Sequence, residues 1–467
     1  MKSKNNIIFK TGAKLSFFIT ITTIIVILIN VLVNILPSRY TRIDTTKEKL
    51  FTLSKQTVEI IKKIDKQITI YHLCAGGIGD ENITELLKRY ASINDKINIS
   101  VKDTSIYPNF SNQYTDLAVS DNSLIVESEE RSKVINYYDI YQASNDEYAY
   151  YGYYDIFNGE TLLTGALDYV TSKYLPKLYI IEGHSEQTLP TQLTNMLENQ
   201  NFEIVSISLP KFNSIPQDAD AVLLISPSRD ISENEYNMLK TYLEEGGKIL
   251  ITTDYNDSKL YYFNKIIEYY NLKVNEGIVL ESNGNNHIAK YPYFIYPQVN
   301  THEIIDPIIE QNLNILFPLA QGMTVKDYEN ENVELNEFIY SSETSYSKID
   351  INSKNLNKTD EDIDGPFTFA TTATMDKTKA VIFSTSQFLD SNINNTVAGA
   401  NYDLFTNAVA WLCDKDSSIS VHSKNMYTTS VAVPKSATTV MFILMVILIP
   451  ITVLALAIII NKIRKSR

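Results

Sequence analysis

Cysteine is almost absent from this chain: Cys74 and Cys413 are the only two in 467 residues. So sparse a pair does not make a disulfide framework, and stability has to come from packed cores. Histidine occurs five times and is scattered, which leaves no sequence basis for a metal cluster. No Gly-x-x-x-x-Gly-Lys-Ser/Thr run occurs, and Gly246-Gly247-Lys248 reads as a helix end entering a strand, the opposite polarity to a phosphate-binding loop. If ATP drives this protein's work, another chain hydrolyses it. Nor is there a Gly-x-Ser-x-Gly elbow or an equivalent cysteine, which a hydrolase of α/β topology would want. Positive charge is also short. A net charge of −14 disfavours nucleic acid and anionic lipid as partners and favours solubility.

Uncharged apolar sequence is plentiful at both ends. Residues 15–36 and 436–461 contain no ionisable side chain, and each exceeds the roughly 20 residues that cross about 30 Å of hydrocarbon. Lys2, Lys4, Lys10 and Lys14 precede the first run, while Lys462, Arg464, Lys465 and Arg467 follow the second. Basic flanks prefer the cytoplasmic side, so the expectation is a multi-pass cell-membrane protein of two spans. Both tails, 1–14 and 462–467, would be cytoplasmic and residues 37–435 extracytoplasmic. Pro37-Ser38-Arg39-Tyr40 lacks a small-x-small cleavage pattern, which argues for an uncleaved anchor. Ser16, Thr20, Thr23, Asn30 and Asn34 recur at helical spacing along one stripe of the first run. Amides and hydroxyls in hydrocarbon favour partner helices, so the stripe is a candidate membrane partner interface. The competing reading places Asn34 in the headgroup zone, with the threonines bonding their own backbone.

Between the runs, apolar strands alternate with amphipathic helices. Strands at 68–73 and 97–101, a helix from Ile83 to Tyr90, a helix near 113–119 and a hairpin at 123–127 and 133–138 follow a β-α-β-α-β-β order. That is the order of a thioredoxin-like α/β domain, here over residues 37–175. The redox motif is missing, since Ala75-Gly76-Gly77 follows Cys74. A second series has strands at 177–181, 203–207, 221–225 and 248–253, helices between them, and a later strand and helix at 380–384 and 403–413. Such alternation predicts a doubly wound parallel sheet over residues 176–435. Within it, Ser232-Glu233-Asn234-Glu235 reads as a capping box and Gly246-Gly247 as a helix stop. Residues 281–365 are rich in Asn, Tyr and Pro and read as a long insertion.

Ligands of open α/β sheets bind at the carboxyl ends of parallel strands. His184, Glu186 and Asp254 fall at such ends and form a candidate acid–base or metal site. The alternative makes Gly183-His184 a tight turn with a locally packed imidazole, and Asp254 a loop cap. A receptor for peptide or glycan would instead use the tyrosines of 148–154 and 291–296.

Several stretches, taken in order, resemble the auxiliary component of GldG-like (gliding-motility-type) ABC transport systems. They are Leu50-Phe51-Thr52-Leu53-Ser54, Gly159-Glu160-Thr161-Leu162-Leu163-Thr164-Gly165-Ala166-Leu167, Tyr179-Ile180-Ile181-Glu182-Gly183-His184-Ser185-Glu186, and the unit from Ala219-Asp220-Ala221 to Gly246-Gly247-Lys248. Gly365-Pro366-Phe367 and the stretch from Asp403 to Leu412 continue it. The resemblance implies a permease and a separate cytosolic ATPase as partners, with this chain as a non-catalytic extracytoplasmic subunit that needs no cofactor. It also implies that the second domain is similar to the GIFT fold, itself like class I glutamine amidotransferases without their active cysteine. An extracytoplasmic cell-envelope hydrolase or amidotransferase-like enzyme is the rival expectation.

Overall fold

The computed structural model describes residues 52–142, 156–326 and 332–415 continuously, with short stretches at 17, 20–25, 27–28, 31, 424–425, 442–448, 450–452, 454 and 458. The chain divides into two compact units, Met1–Glu160 with Ser423–Arg467, and Thr161–His422.

Among the described residues no helix is long and apolar enough to cross a membrane. This corrects the expectation of two flanking transmembrane helices, and with it the multi-pass placement with both termini in the cytoplasm. A span needs its apolar residues on one continuous helix. The described helical run near the start is residues 20–25, and near the end Ile443–Leu448 is a short π-helical stretch. Ser16, Asn30 and Asn34, with both expected cytoplasmic tails, lie outside the described residues.

In the first unit a four-stranded sheet has the order Ile97–Asp103, Ile68–Cys74, Leu124–Glu127, Ser132–Ile135. Its first pair is parallel and the rest antiparallel. The helix Glu81–Ile93 buries Ile83, Leu86, Leu87 and Tyr90, an i, i+3, i+4, i+7 set, and the Asp80 carboxylate caps it by accepting the Ile83 N–H at 3.0 Å. No helix forms at 113–119, where one was expected. Phe110–Gln113 makes a single 3₁₀ turn, and the Leu117 N–H donates to the Thr115 hydroxyl at 3.1 Å, a local bond that competes with helix propagation.

The second unit is built on a ten-stranded mixed sheet. Five strands run parallel in the order Glu203–Ile207, Lys177–Ile181, Ala221–Ile225, Lys248–Thr252, Thr378–Phe383. The sheet is not the wholly parallel one expected. Thr368–Met375 pairs antiparallel with Thr378–Phe383, because a two-residue connection containing Asp376 at φ 52 allows only a hairpin. Met323–Val325 and Leu272–Val274 extend that antiparallel side.

The central strands Ala221–Ile225 and Lys248–Thr252 are buried on both faces, which is why they read as apolar runs, whereas the edge strand Glu203–Ile207 exposes Glu203 and Ser206. Leu223, Ile225, Leu250, Val381 and Phe383 join one core with Leu193 and Leu197 of the helix Thr191–Asn199 and with Leu404, Phe405 and Ala408 of the helix Ala400–Leu412. Val222, Leu224, Ile249, Ile251 and Ile382 join the other, with Leu239 and Leu243 of Glu233–Glu244 and Phe263, Ile266 and Ile267 of Tyr261–Glu268. Each fully buried side chain of this size contributes roughly 1.5–3 kcal/mol. Gly246, at φ 94, ends Glu233–Glu244 and sends the chain into the next strand.

Candidate functional site

From Lys177–Ile181 the chain moves outward to Glu203–Ile207, then crosses back to Ala221–Ile225 on the far side of the first strand. The direction of winding therefore reverses between Lys177–Ile181 and Ala221–Ile225. Beyond the carboxyl ends of those two strands lies the crevice where a sheet of this kind would take a ligand.

The chain's own groups close that crevice. The turn after Lys177–Ile181 has Gly183 at φ 131 and Ser185 at φ 57, and it is pinned to both neighbouring strands. The Glu182 N–H donates to the Ile207 carbonyl at 2.9 Å, and the Gln187 N–H to the Ile225 carbonyl at 2.9 Å. From the opposite side the N–H groups of Ser228 and Arg229 donate to the His184 carbonyl at 3.1 and 2.9 Å, while the Arg229 guanidinium donates to the Gly183 carbonyl at 3.1 Å.

The His184 ring sits in the middle of this seam, its side chain 10% exposed. Its Nδ1 lies 3.0 Å from Glu186 Oε1, and its Nε2 lies 3.1 and 3.2 Å from the two oxygens of Glu235. Glu186 Oε2 accepts the N–H groups of Gly183 and His184 at 3.0 and 2.8 Å. Glu235 Oε2 accepts the N–H and hydroxyl of Ser232 at 2.8 and 2.6 Å, as the third residue of an intact capping box. The hydrogen bond to Glu186 raises the His184 pKa above its ordinary 6.5, against the opposing effect of burial, and Glu235 adds to the rise. Burial works to raise both carboxyls, yet the bonds they accept leave both below 4.5. For Glu186 those come from His184 and backbone N–H groups; for Glu235 they come from Ser232, with the charge of His184 assisting. The arrangement is an imidazole clasped between two carboxylates that favour its protonated form, with both ring nitrogens engaged. Such a ring can hold two loops together but has no nitrogen left for a substrate proton.

Asp254 does not join this cluster. It accepts the Ser386 N–H at 2.7 Å, the Ser386 hydroxyl at 2.5 Å and the Gln387 side-chain N–H at 3.1 Å, so it caps the 3₁₀ turn Gln387–Leu389. Glu235 takes the place by His184 that Asp254 was expected to fill. In the sequence Glu235 was legible only as a capping residue; the clue to its second contact is that its helix follows the strand next to that of His184. Ser226, at φ 41 directly after Ala221–Ile225, stands where an elbow nucleophile would, and its hydroxyl is paired with that of Thr252 at 2.8 Å. Burial and nearby carboxylates push the Cys74 thiol up to about 11, and burial pushes Cys413 up to about 12, so neither supplies a thiolate near neutrality. No group of three or more His, Cys, Asp or Glu among the described residues is arranged to hold a metal ion. Thr20 and Thr23 of the N-terminal stripe fall in the helical run 20–25. Of the tyrosine clusters, residues 148–154 lie outside the described residues, and Tyr291, Tyr293 and Phe294 pack on one another at 5.2–6.0 Å between ring centres.

Beside this geometry stands a family assignment. Residues 175–408, half of the chain, match the family described as an ABC-type uncharacterized transport system. The chain belongs to that family of auxiliary components, and its role in ABC transport is an accessory one associated with the transporter's other components. Residues 47–142 match a domain of unknown function. No curated protein matches the chain. Among solved structures, one titled "mmIFT52 N-terminal domain" is 14% identical, covering 53% of this chain and 99% of that one, with a TM-score of 0.38. A glutamine amidotransferase from Thermotoga maritima is 8% identical, covering 52% and 100%, at 0.30. PurLQS from the same organism is 14% identical, covering 51% and 100%, at 0.28. No functional inference rests on likenesses this distant.

Proposed function

We propose that this chain is a non-catalytic accessory subunit that docks on the permease of an ABC transport system, whose separate ATPase supplies the energy. The observation that carries the reading is the closed switch-point crevice. Where the topology would offer a ligand site, His184 is held between Glu186 and Glu235, and the Ser226 hydroxyl is spent on Thr252. Absence of a phosphate-binding loop from the sequence agrees with ATP hydrolysis by another chain. An amidotransferase-like alternative would need a thiolate, and both thiols are held protonated by their surroundings.

Affinity purification of the tagged chain from cells expressing the whole transport system, with identification of the co-migrating subunits, tests the docking. Permease and ATPase are expected in a constant ratio to the chain. His184→Gln, which keeps a polar side chain in the clasp, is expected to leave the ATPase rate of the assembled complex within about twofold of wild type, under about 0.4 kcal/mol. An assembled, folded His184→Gln complex with a collapsed rate would overturn the non-catalytic reading.

A further inference from the structure

We propose that the loop cluster at the carboxyl end of the first unit's two parallel strands is a docking surface for a protein whose contact patch is apolar and ringed by Lys and Arg. The inference builds on the accessory reading and names the part of the chain that meets a transporter subunit.

Ile68–Cys74 and Ile97–Asp103 run parallel, so both deliver their loops to the same end of the sheet. Two aspartates tie those loops into one surface. Asp121 Oδ1 accepts the Ala75 N–H at 2.7 Å and the Thr104 hydroxyl at 3.2 Å, while Asp103 Oδ1 accepts the N–H groups of Gly76 and Ser105 at 3.0 and 2.9 Å. The Thr104 N–H closes onto the Cys74 carbonyl at 3.3 Å. From this tied surface and the segment leading to Asp121 project Ile78 (82% exposed), Leu117 (78%), Ile106 (66%) and Tyr107 (57%). One exposed apolar side chain is ordinary on any protein; three on the hydrogen-bonded loops, with Leu117 on the segment that leads to Asp121, point to an interaction site.

Charge decides the kind of partner. Asp80, Asp103, Asp116 and Asp121 lie on the same loops, and no Lys or Arg forms an ion pair with any of them among the described residues. Lys102 lies over the rings of Tyr71, Tyr107 and Phe110 at 5.1–5.9 Å from their centres. A second copy of this chain would bring the same carboxylates face to face, and anionic headgroups would be repelled. A protein patch with Lys or Arg around an apolar centre satisfies both the exposed side chains and the uncompensated charge.

The test uses the full chain assembled with the permease and ATPase of its own transport system. A photo-crosslinking amino acid is placed at position 106 or 117, with exposed Tyr261 of the second unit as the control position. Crosslinks to a transporter subunit are expected from 106 and 117 and not from 261. Their yield should fall about fivefold as salt rises from roughly 50 to 500 mM, and about tenfold with Asp116→Lys, because screening or reversal of the acidic charge removes the complementarity. The double variant Ile106→Ser/Leu117→Ser should lose co-purification while keeping the wild-type melting temperature. A double variant that still assembles, together with no crosslinks, overturns the docking surface and leaves the accessory role standing. Crosslinks to a second copy or to lipid overturn the partner's chemistry. Failure of the unmodified chain to co-purify with either transporter subunit overturns the accessory reading and this inference with it.

Discussion

Replacing His184 with leucine removes the ring that two buried carboxylates share, a cation below pH 6.5, where its raised pKa keeps it protonated. The side chains of Glu186 and Glu235 are only 6% and 4% exposed, so neither recovers full hydration when the imidazolium is gone. Stripping one member from a buried ion pair costs about 3–5 kcal/mol, most of it the penalty of leaving a charge uncompensated. Here each carboxylate keeps donors: Glu186 the N–H groups of Gly183 and His184, and Glu235 the N–H and hydroxyl of Ser232. Those bonds place the expected loss near the lower end, about 3 kcal/mol. Trp411 is the chain's only tryptophan and lies on the helix Ala400–Leu412, so its fluorescence reports unfolding of the second unit. With a urea slope of about 3 kcal/mol per molar for a unit of this size, the midpoint should drop by about 1 M at pH 6. Glu235→Gln added to His184→Leu should restore part of that loss, since one of the two orphaned charges is then gone. A midpoint shift under about 0.3 M would refute the clasp as a stabilising element.

The clasp also sets a pH window. His184 binds its proton more tightly when folded, so its contribution is complete below pH 6.5 and is lost as pH rises through the higher folded value. Glu186 and Glu235 hold their charge more firmly when folded, so theirs is complete above pH 4.5 and is lost as pH falls. The urea midpoints of wild type and His184→Leu should therefore differ most between pH 4.5 and 6.5, and the gap should narrow as pH rises through the folded His184 pKa; a gap that widens toward alkaline pH would contradict the assignment. Lys348 and Asp362 form a second buried pair at 2.9 Å, their side chains 3% and 1% exposed. Burial works to raise the Asp362 carboxyl, but the Lys348 ammonium and the N–H groups of Ile349 and Thr359 bring it down to about 2. Lys348→Met should cost about 3–5 kcal/mol in the same urea assay, whereas Lys348→Met/Asp362→Leu should cost much less. Gly277→Ala puts a Cβ 2.3 Å from the Lys348 carbonyl oxygen at φ +87, and a melting temperature lowered by several degrees is expected by calorimetry.

Local elements of the second unit were readable because their causes are local. The strands at 177–181, 203–207 and 221–225 stand where expected, the last on an unbroken apolar run, and the Ser232–Glu235 capping box forms as its spacing required. Thr368–Met375 escaped notice because an alternating Thr and Ala stretch carries little hydrophobic signal, although it is buried along nearly its whole length. The helix expected at 113–119 failed for a reason also local but weaker, a hydroxyl that takes one N–H from the backbone. Half of the candidate site was visible as well. His184 and Glu186 are two residues apart, so a turn brings them together, while nothing in the spacing joins Glu235 to the ring.

What the amino-acid order determined alone is therefore the set of segments that bury apolar surface, the points at which helices start and stop, and the acidic excess of the molecule. Those follow from side-chain chemistry acting over a few residues. The tertiary structure decided the rest. It set the strand order that puts His184 beside Glu235 and sends Asp254 to Ser386, and the hairpin that makes the sheet mixed. Among the described residues no helix is long and apolar enough to cross a membrane. Contacts between residues far apart in the chain depend on which strands pair and which loops meet, and no count of apolar or charged residues contains that information.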